Sequence, residues 1–124
     1  MREIKFRAWD KVKKEWIPIS SLECFHTGEV LQVKRMWSKK HFPIRTDCIL
    51  MQFTGLLDKN GKEIYEGDIV KIGRVKFVVE FRDGSFEIIG INVVSVAKIS
   101  HDYSNIEVIG NIYENPELLT PPQK

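Results

Sequence analysis

The sequence predicts an all-β protein, a small barrel or sandwich of short antiparallel strands, and three observations carry that prediction. Apolar residues recur at period two in several segments, the alternation of a half-buried strand. Asn60-Gly61 and Asp83-Gly84 are hairpin dipeptides lying between apolar runs. Glycine-rich turns link the segments at close spacing, the pattern of small all-β folds.

The first element is a hairpin. Ile4, Phe6 and Ala8 point one way and Lys5, Arg7 and Trp9 the other, and a polar link from Asp10 to Glu15 returns the chain to Trp16, Ile17 and Ile19. Thr27-Gly28-Glu29 marks a turn. VLQVKRMW then fits a strand with Leu31, Val33 and Trp37 inward, or a helical face through Val30, Val33 and Trp37; the strand is favoured. Pro43 biases Phe42 toward an extended backbone, so Ser38 to Thr46 reads as a basic loop.

CILMQFT is a largely apolar run suited to a strand covered on both faces. A two-residue type I′ turn at Asn60-Gly61 would place Leu57 opposite Ile64. Glu66-Gly67-Asp68 bends the chain into Ile69-Val70-Lys71-Ile72. Next, Val75, Phe77, Val79 and Phe81 share a face, Asp83-Gly84 turns, and SFEII returns, pairing Phe81 with Phe86 and Val79 with Ile88. That register opposes Glu80 to Glu87, a local repulsion that core burial outweighs. INVVSVAKI reads as a strand, His101 to Asn105 as a loop, and IEVIGNIY as a last strand with a bulge or close approach at Gly110. Asn115 as cap, Pro116 at the first helical position and a Pro121-Pro122 stop leave room for one short helical turn.

Composition sets limits on function. A chain of 124 residues with 43% apolar and 29% charged residues suits one independently folding domain. The absence of a long apolar run, and a start of Met1, Arg2, Glu3, Ile4, point to a cytoplasmic protein with no membrane partner. Cys24 and Cys48 are expected as free thiols. Residues 1–45 hold eleven Lys/Arg against five Asp/Glu and residues 46–124 eight against twelve, so the halves carry about +6 and −4. This asymmetry fits an anionic partner for the first part, or two halves that attract each other.

The strings MREIKFRAWD, MQFTGLLDKNGKEIYEGDIV and EVIGNIYENPELL closely resemble the YopX family, small proteins carried by bacterial phages and prophages. The residue pattern gives one domain, 1–124, in which 1–49 form an N-terminal hairpin and irregular basic excursion, and the resemblance implies a mostly β chain. It implies that residues 50–119, about Leu50 to Leu119, form a small SH3-like barrel; 120–124, past the proline stop, are expected as a flexible tail. It implies a bacterial cytoplasm, and it brings no assigned activity and therefore no functional residues. Residues 20–46 carry none of these strings.

Candidate chemistry concentrates in VKRMWSKKHF, where Lys34, Arg35, Lys39, Lys40 and His41 surround Trp37. Cations neutralise phosphates and an aromatic face stacks on a base, so this segment is a candidate nucleic-acid contact, or a core tryptophan beside a solvated loop. Zinc would have to come from Cys24, His26, His41 and Cys48, whose spacing matches no structural site, and no metal or other cofactor is expected. Glu66 with Asp68, and Glu80 with Glu87, are better explained as turn chemistry and a solvated sheet face than as acid–base pairs. Without a phosphate loop, dinucleotide fingerprint or HExxH, the expected role is non-enzymatic: an interaction module binding a host or phage protein or copies of itself, with nucleic-acid binding as the alternative.

Overall fold

The computed structural model describes residues 4–24, 30–44, 46–99 and 105–119. The expected turn at Thr27-Gly28-Glu29, most of the His101 to Asn105 loop and the Pro121-Pro122 stop lie outside the described residues. Twelve strands and one 3-10 turn form among them, so the chain is all-β. The chain divides into two compact units, Lys5–Gln52 and Met1–Ile4 with Phe53–Lys124.

In the first unit, β1 (Phe6–Asp10) and β2 (Glu15–Ile17) form the expected hairpin. Its turn is built by Asp10, whose Oδ1 accepts the Val12 and Lys13 amides at 2.9 and 3.0 Å. One row of the hairpin, Ala8 and Ile17, joins the core with Val33, Phe42 and Cys48. Ile4 does not share that row's burial and is exposed, because no strand partner reaches it. On the other face Trp9 packs edge-on against Trp16, ring centroids 4.9 Å apart, and the Arg7 guanidinium lies 4.5 Å from the centre of the Trp16 ring.

β3 (Ile19–Cys24), β4 (Val30–Arg35) and β5 (His41–Pro43) make a three-stranded antiparallel sheet. The strand reading of VLQVKR holds, with Val33 fully buried, but two expectations in this region are corrected. Trp37 does not point inward: it sits past the strand end in a tight turn and is 91% exposed. The basic segment is not all loop, since Phe42 pairs with Val33 and is buried. The extended backbone that Pro43 imposes on Phe42 is what lets it join the sheet.

β6 (Cys48–Leu57) pairs along its first half with β1 and near its end with β7 (Glu63–Tyr65). The β6–β7 turn departs from the expected register: Leu57 opposes Glu63, not Ile64. Asn60 keeps negative φ and only Gly61 is left-handed, at φ 80°, with the Gly61 amide bonded to the Asp58 carbonyl and the Asp58 amide to Lys62. This is a three-residue loop ending in a left-handed glycine. It leaves Leu57 57% exposed and Ile64 in the core.

In the second unit, β8 (Asp68–Ile72), β9 (Val75–Arg82), β10 (Ser85–Gly90), β11 (Val96–Lys98) and β12 (Glu107–Asn111) form a sheet in the order β11-β10-β9-β8-β12. The β9–β10 hairpin has the predicted register throughout, from Phe81 opposite Phe86 to Val79 opposite Ile88. Asp83 and Gly84 take φ 50° and 83°, as a type I′ turn requires. Glu80 does face Glu87, and Arg82 Nε lies 3.8 Å from Glu87 Oε1, which offsets the repulsion. Ile64, Val70, Phe77, Val79, Ile88 and Ile106 form the core, each fully buried aliphatic side chain contributing about 1.5–3 kcal/mol. Phe81 lies beyond that core near the turn and is half exposed.

INVVSVAKI is not one strand. Asn92 adopts φ 62° and breaks the extended run, so only Val96–Lys98 pair, and Val93 and Val94 are left in solvent. At Gly110 both expected features occur: the register shifts between Val108 and Gly110, and a Cβ there would meet Asn115 Oδ1 at 2.5 Å. The final 3-10 turn, Pro116–Leu119, starts where Asn115 was expected to cap it, but the Asn115 side chain reaches back to the Asn111 amide instead.

Candidate interaction surfaces

The basic segment predicted as a nucleic-acid contact is split by the strand geometry. Lys34 and His41 are cross-strand partners on the outer face of the three-stranded sheet. His41 Nε2 lies 2.9 Å from Glu23 Oε1, while Gln32 Nε2 donates to Glu23 Oε2 at 2.8 Å. The Gln32 hydrogen bond, with the His41 and Lys34 charges, holds the Glu23 carboxyl below its ordinary range despite some burial. Arg35 faces Glu15 at 3.7 Å. Arg35 and His41 are therefore paired with carboxylates, and Lys34 also acts on Glu23.

Trp37, Lys39 and Lys40 are grouped in the β4–β5 turn. The Arg35 amide bonds to the Lys40 carbonyl and the Lys40 amide to Ser38 Oγ, which closes the turn. Trp37 has φ 58°, a left-handed conformation that costs a bulky side chain about 1–3 kcal/mol and normally goes to glycine or asparagine. An indole held in solvent by a strained backbone contributes nothing to this unit's core.

The two edges of the five-stranded sheet differ in a way that sequence reading missed. At β12 several outward backbone groups are taken. The Val108 amide donates to Asp58 Oδ2 at 2.9 Å, the Lys59 amide to the Ile106 carbonyl at 2.9 Å, and the Asn111 amide to Asn115 Oδ1 at 3.2 Å. Asp58 is buried and its Oδ1 also accepts Asn60 and Lys62 amides. Burial raises its carboxyl, but these three amides outweigh burial and hold it below the ordinary value.

At β11 the corresponding groups have no hydrogen-bond partner among the described residues. The Gly90 amide bonds to Ser95 O and the Ile99 amide to Phe86 O, with Ala97 opposite Ile88. Residues 95, 97 and 99 thus turn their backbone groups toward β10, and Val96 and Lys98 turn theirs outward. Around this edge Val94 is fully exposed and Val96 is 56% exposed. The run of β-branched residues was legible, but its position at a sheet edge was not.

The remaining candidates assemble no site. Asp68 Oδ2 accepts the Tyr65 amide at 2.8 Å, which is turn chemistry. Cys24 is exposed at the end of β3, whereas Cys48 is buried and its thiol donates to the Phe42 carbonyl at 3.5 Å. His26 lies outside the described residues, and no group of three His, Cys, Asp or Glu suited to a metal occurs among them. No helix among the described residues is long and apolar enough to cross a membrane.

Comparison with known proteins places this chain among relatives. The family model described as YopX protein matches residues 5–120. The SPbeta prophage-derived uncharacterized protein YopX of Bacillus subtilis is 41% identical over 75 residues, covering 48% of this chain and 52% of the relative. The chain thus spans about half the length of that curated relative in sequence. In structure, protein EF1440 from Enterococcus faecalis matches with a TM-score of 0.76 and 26% identity over 97% of this chain and 100% of the other. The crystal structure of yopX from Bacillus subtilis matches with a TM-score of 0.65 and 28% identity over 99% and 100%.

Proposed function

The chain belongs to the YopX family, and on that premise we propose that it is a non-enzymatic interaction module of the bacterial cytoplasm. Its role is to take an extended segment of a host or phage protein as an added strand on β11. One observation carries this reading: the β12 edge is closed by Asp58, Lys59 and Asn115, while the β11 edge offers the Val96 and Lys98 backbone beside exposed valines. Natural sheets blunt their free edges, because an open apolar edge recruits another strand. Backbone hydrogen bonds would supply affinity, and alternate side chains opposite Val94, Val96 and Lys98 would supply selectivity.

The test uses Val96→Pro. This residue's amide points away from β10, so the substitution removes an outward donor without breaking the β10–β11 ladder. Tagged wild-type chain in nuclease-treated bacterial lysate should retain a stoichiometric protein partner, and Val96→Pro should lose it with an unchanged unfolding midpoint. Equal retention by both, or no retention by either, refutes the reading. If light scattering instead shows a wild-type dimer that becomes monomeric in Val96→Pro, the added strand comes from a second copy.

A further inference from the structure

We infer that the Lys5–Gln52 unit carries a second surface, made by two basic turns, that binds single-stranded nucleic acid with Trp37 stacked on a base. The turns lie far apart in sequence, one after β1 with Lys13 and Lys14, the other after β4 with Trp37, Lys39 and Lys40. The fold brings them together. Met36 N donates to Pro18 O at 2.7 Å, Arg35 reaches Glu15, and the charges of Lys40 and Lys13 both act on Asp10. The two turns and their flanks hold six cations, Lys11, Lys13, Lys14, Arg35, Lys39 and Lys40, against three carboxylates, Asp10, Glu15 and Asp47, so positive charge predominates at this end of the unit.

Trp37 supplies the second half of the chemistry. Trp9 and Trp16 pack on each other, whereas Trp37 is presented to solvent from a left-handed backbone. A flat ring flanked by flexible cations matches a nucleotide strand, in which each base has a stacking face and each step a phosphate. An acidic peptide would use the cations and leave the ring idle. A membrane would ask for more apolar surface than Trp37 and the exposed Val12 provide.

The experiment is anisotropy of a labelled oligothymidylate of about 12 nucleotides, titrated with the full chain between about 50 and 200 mM salt. Wild type should bind, and weaken steeply as salt rises. Trp37→Ala should weaken binding about 5- to 150-fold, the range of one base stack, while Trp37→Phe retains most of it. Lys39→Gln with Lys40→Gln should lower the slope of log K against log salt by about 1.4. Because these side chains are exposed, unfolding midpoints should change little, the largest loss being the Lys40 contact 4.8 Å from the centre of the Phe42 ring, and Val96→Pro should leave oligonucleotide binding unchanged. The inference is overturned if the oligonucleotide does not bind at low salt, or if Trp37→Ala binds like wild type. It is equally overturned if base-free polyphosphate competes as well per charge, or if anionic phosphatidylserine vesicles bind and the oligonucleotide does not.

Discussion

Asp58→Ala should destabilise the chain by about 3–5 kcal/mol, more than a typical polar substitution, because one carboxylate closes both a turn and a sheet edge. The carboxylate accepts three backbone amides, Asn60 at 2.8 Å, Lys62 at 2.9 Å and Val108 at 2.9 Å, the last fifty residues away in sequence. Asn60 and Lys62 are exposed, so water replaces much of what they lose, and each contributes about 1 kcal/mol. Val108 is half-buried on the β12 edge and its amide would be left unsatisfied, at about 1–3 kcal/mol. Asp58→Asn should fall between, since its amide group can serve the turn through oxygen or Val108 through oxygen, but not both without facing donor to donor. Urea unfolding gives the free energies, and hydrogen exchange at the Val108 amide reports the edge alone. A loss below about 1 kcal/mol for Asp58→Ala, or an asparagine variant as stable as wild type, would refute the reasoning.

Acid should unfold the protein through the same groups. Asp10 and Asp58 are held below 3.8, their backbone hydrogen bonds outweighing burial, and Glu23 is held below 4.5, chiefly by Gln32. Lowered folded values mean that the unfolded chain binds more protons, so this stability is complete above the unfolded values and lost as pH falls through the folded ones. A urea midpoint that rises on acidification below 3.8 would contradict this. Burial first, then the Asp47 and Asp10 charges, push the Cys48 thiol up to about 11. At about pH 8 a thiol reagent should therefore modify exposed Cys24 alone in the native protein and both cysteines in denaturant; rapid native labelling of Cys48 would refute its burial. Gly110→Ala should cost about 1–3 kcal/mol by driving a Cβ against Asn115, and adding Asn115→Ala should give a total below the sum of the single costs. Additive losses would mean the two residues do not meet.

Local chemistry carried much of the fold. The β9–β10 register followed from a two-residue turn and the alternation on either side of it, and both are confined to Val75–Gly90. The Gly110 irregularity and the bend at Gly67 were legible for the same reason: a glycine amid apolar residues marks a special backbone wherever the rest of the chain goes. The Asn60-Gly61 turn was misread because Asp58, just outside the dipeptide, binds the loop amides and selects a longer turn. Nothing within the dipeptide distinguishes the two.

By itself the sequence determined that the chain folds into antiparallel ribbons, where most of them turn, and that cations and a tryptophan are concentrated before Phe42. Only the tertiary structure decided which tryptophan faces water, that Phe42 pairs with Val33, and that Asp58 reaches Val108 on the outward side of β12. The physical reason is range. A turn is set by φ preferences and hydrogen bonds among neighbouring residues, whereas burial and edge closure depend on partners brought from elsewhere in the chain, and no local pattern records which partner arrives.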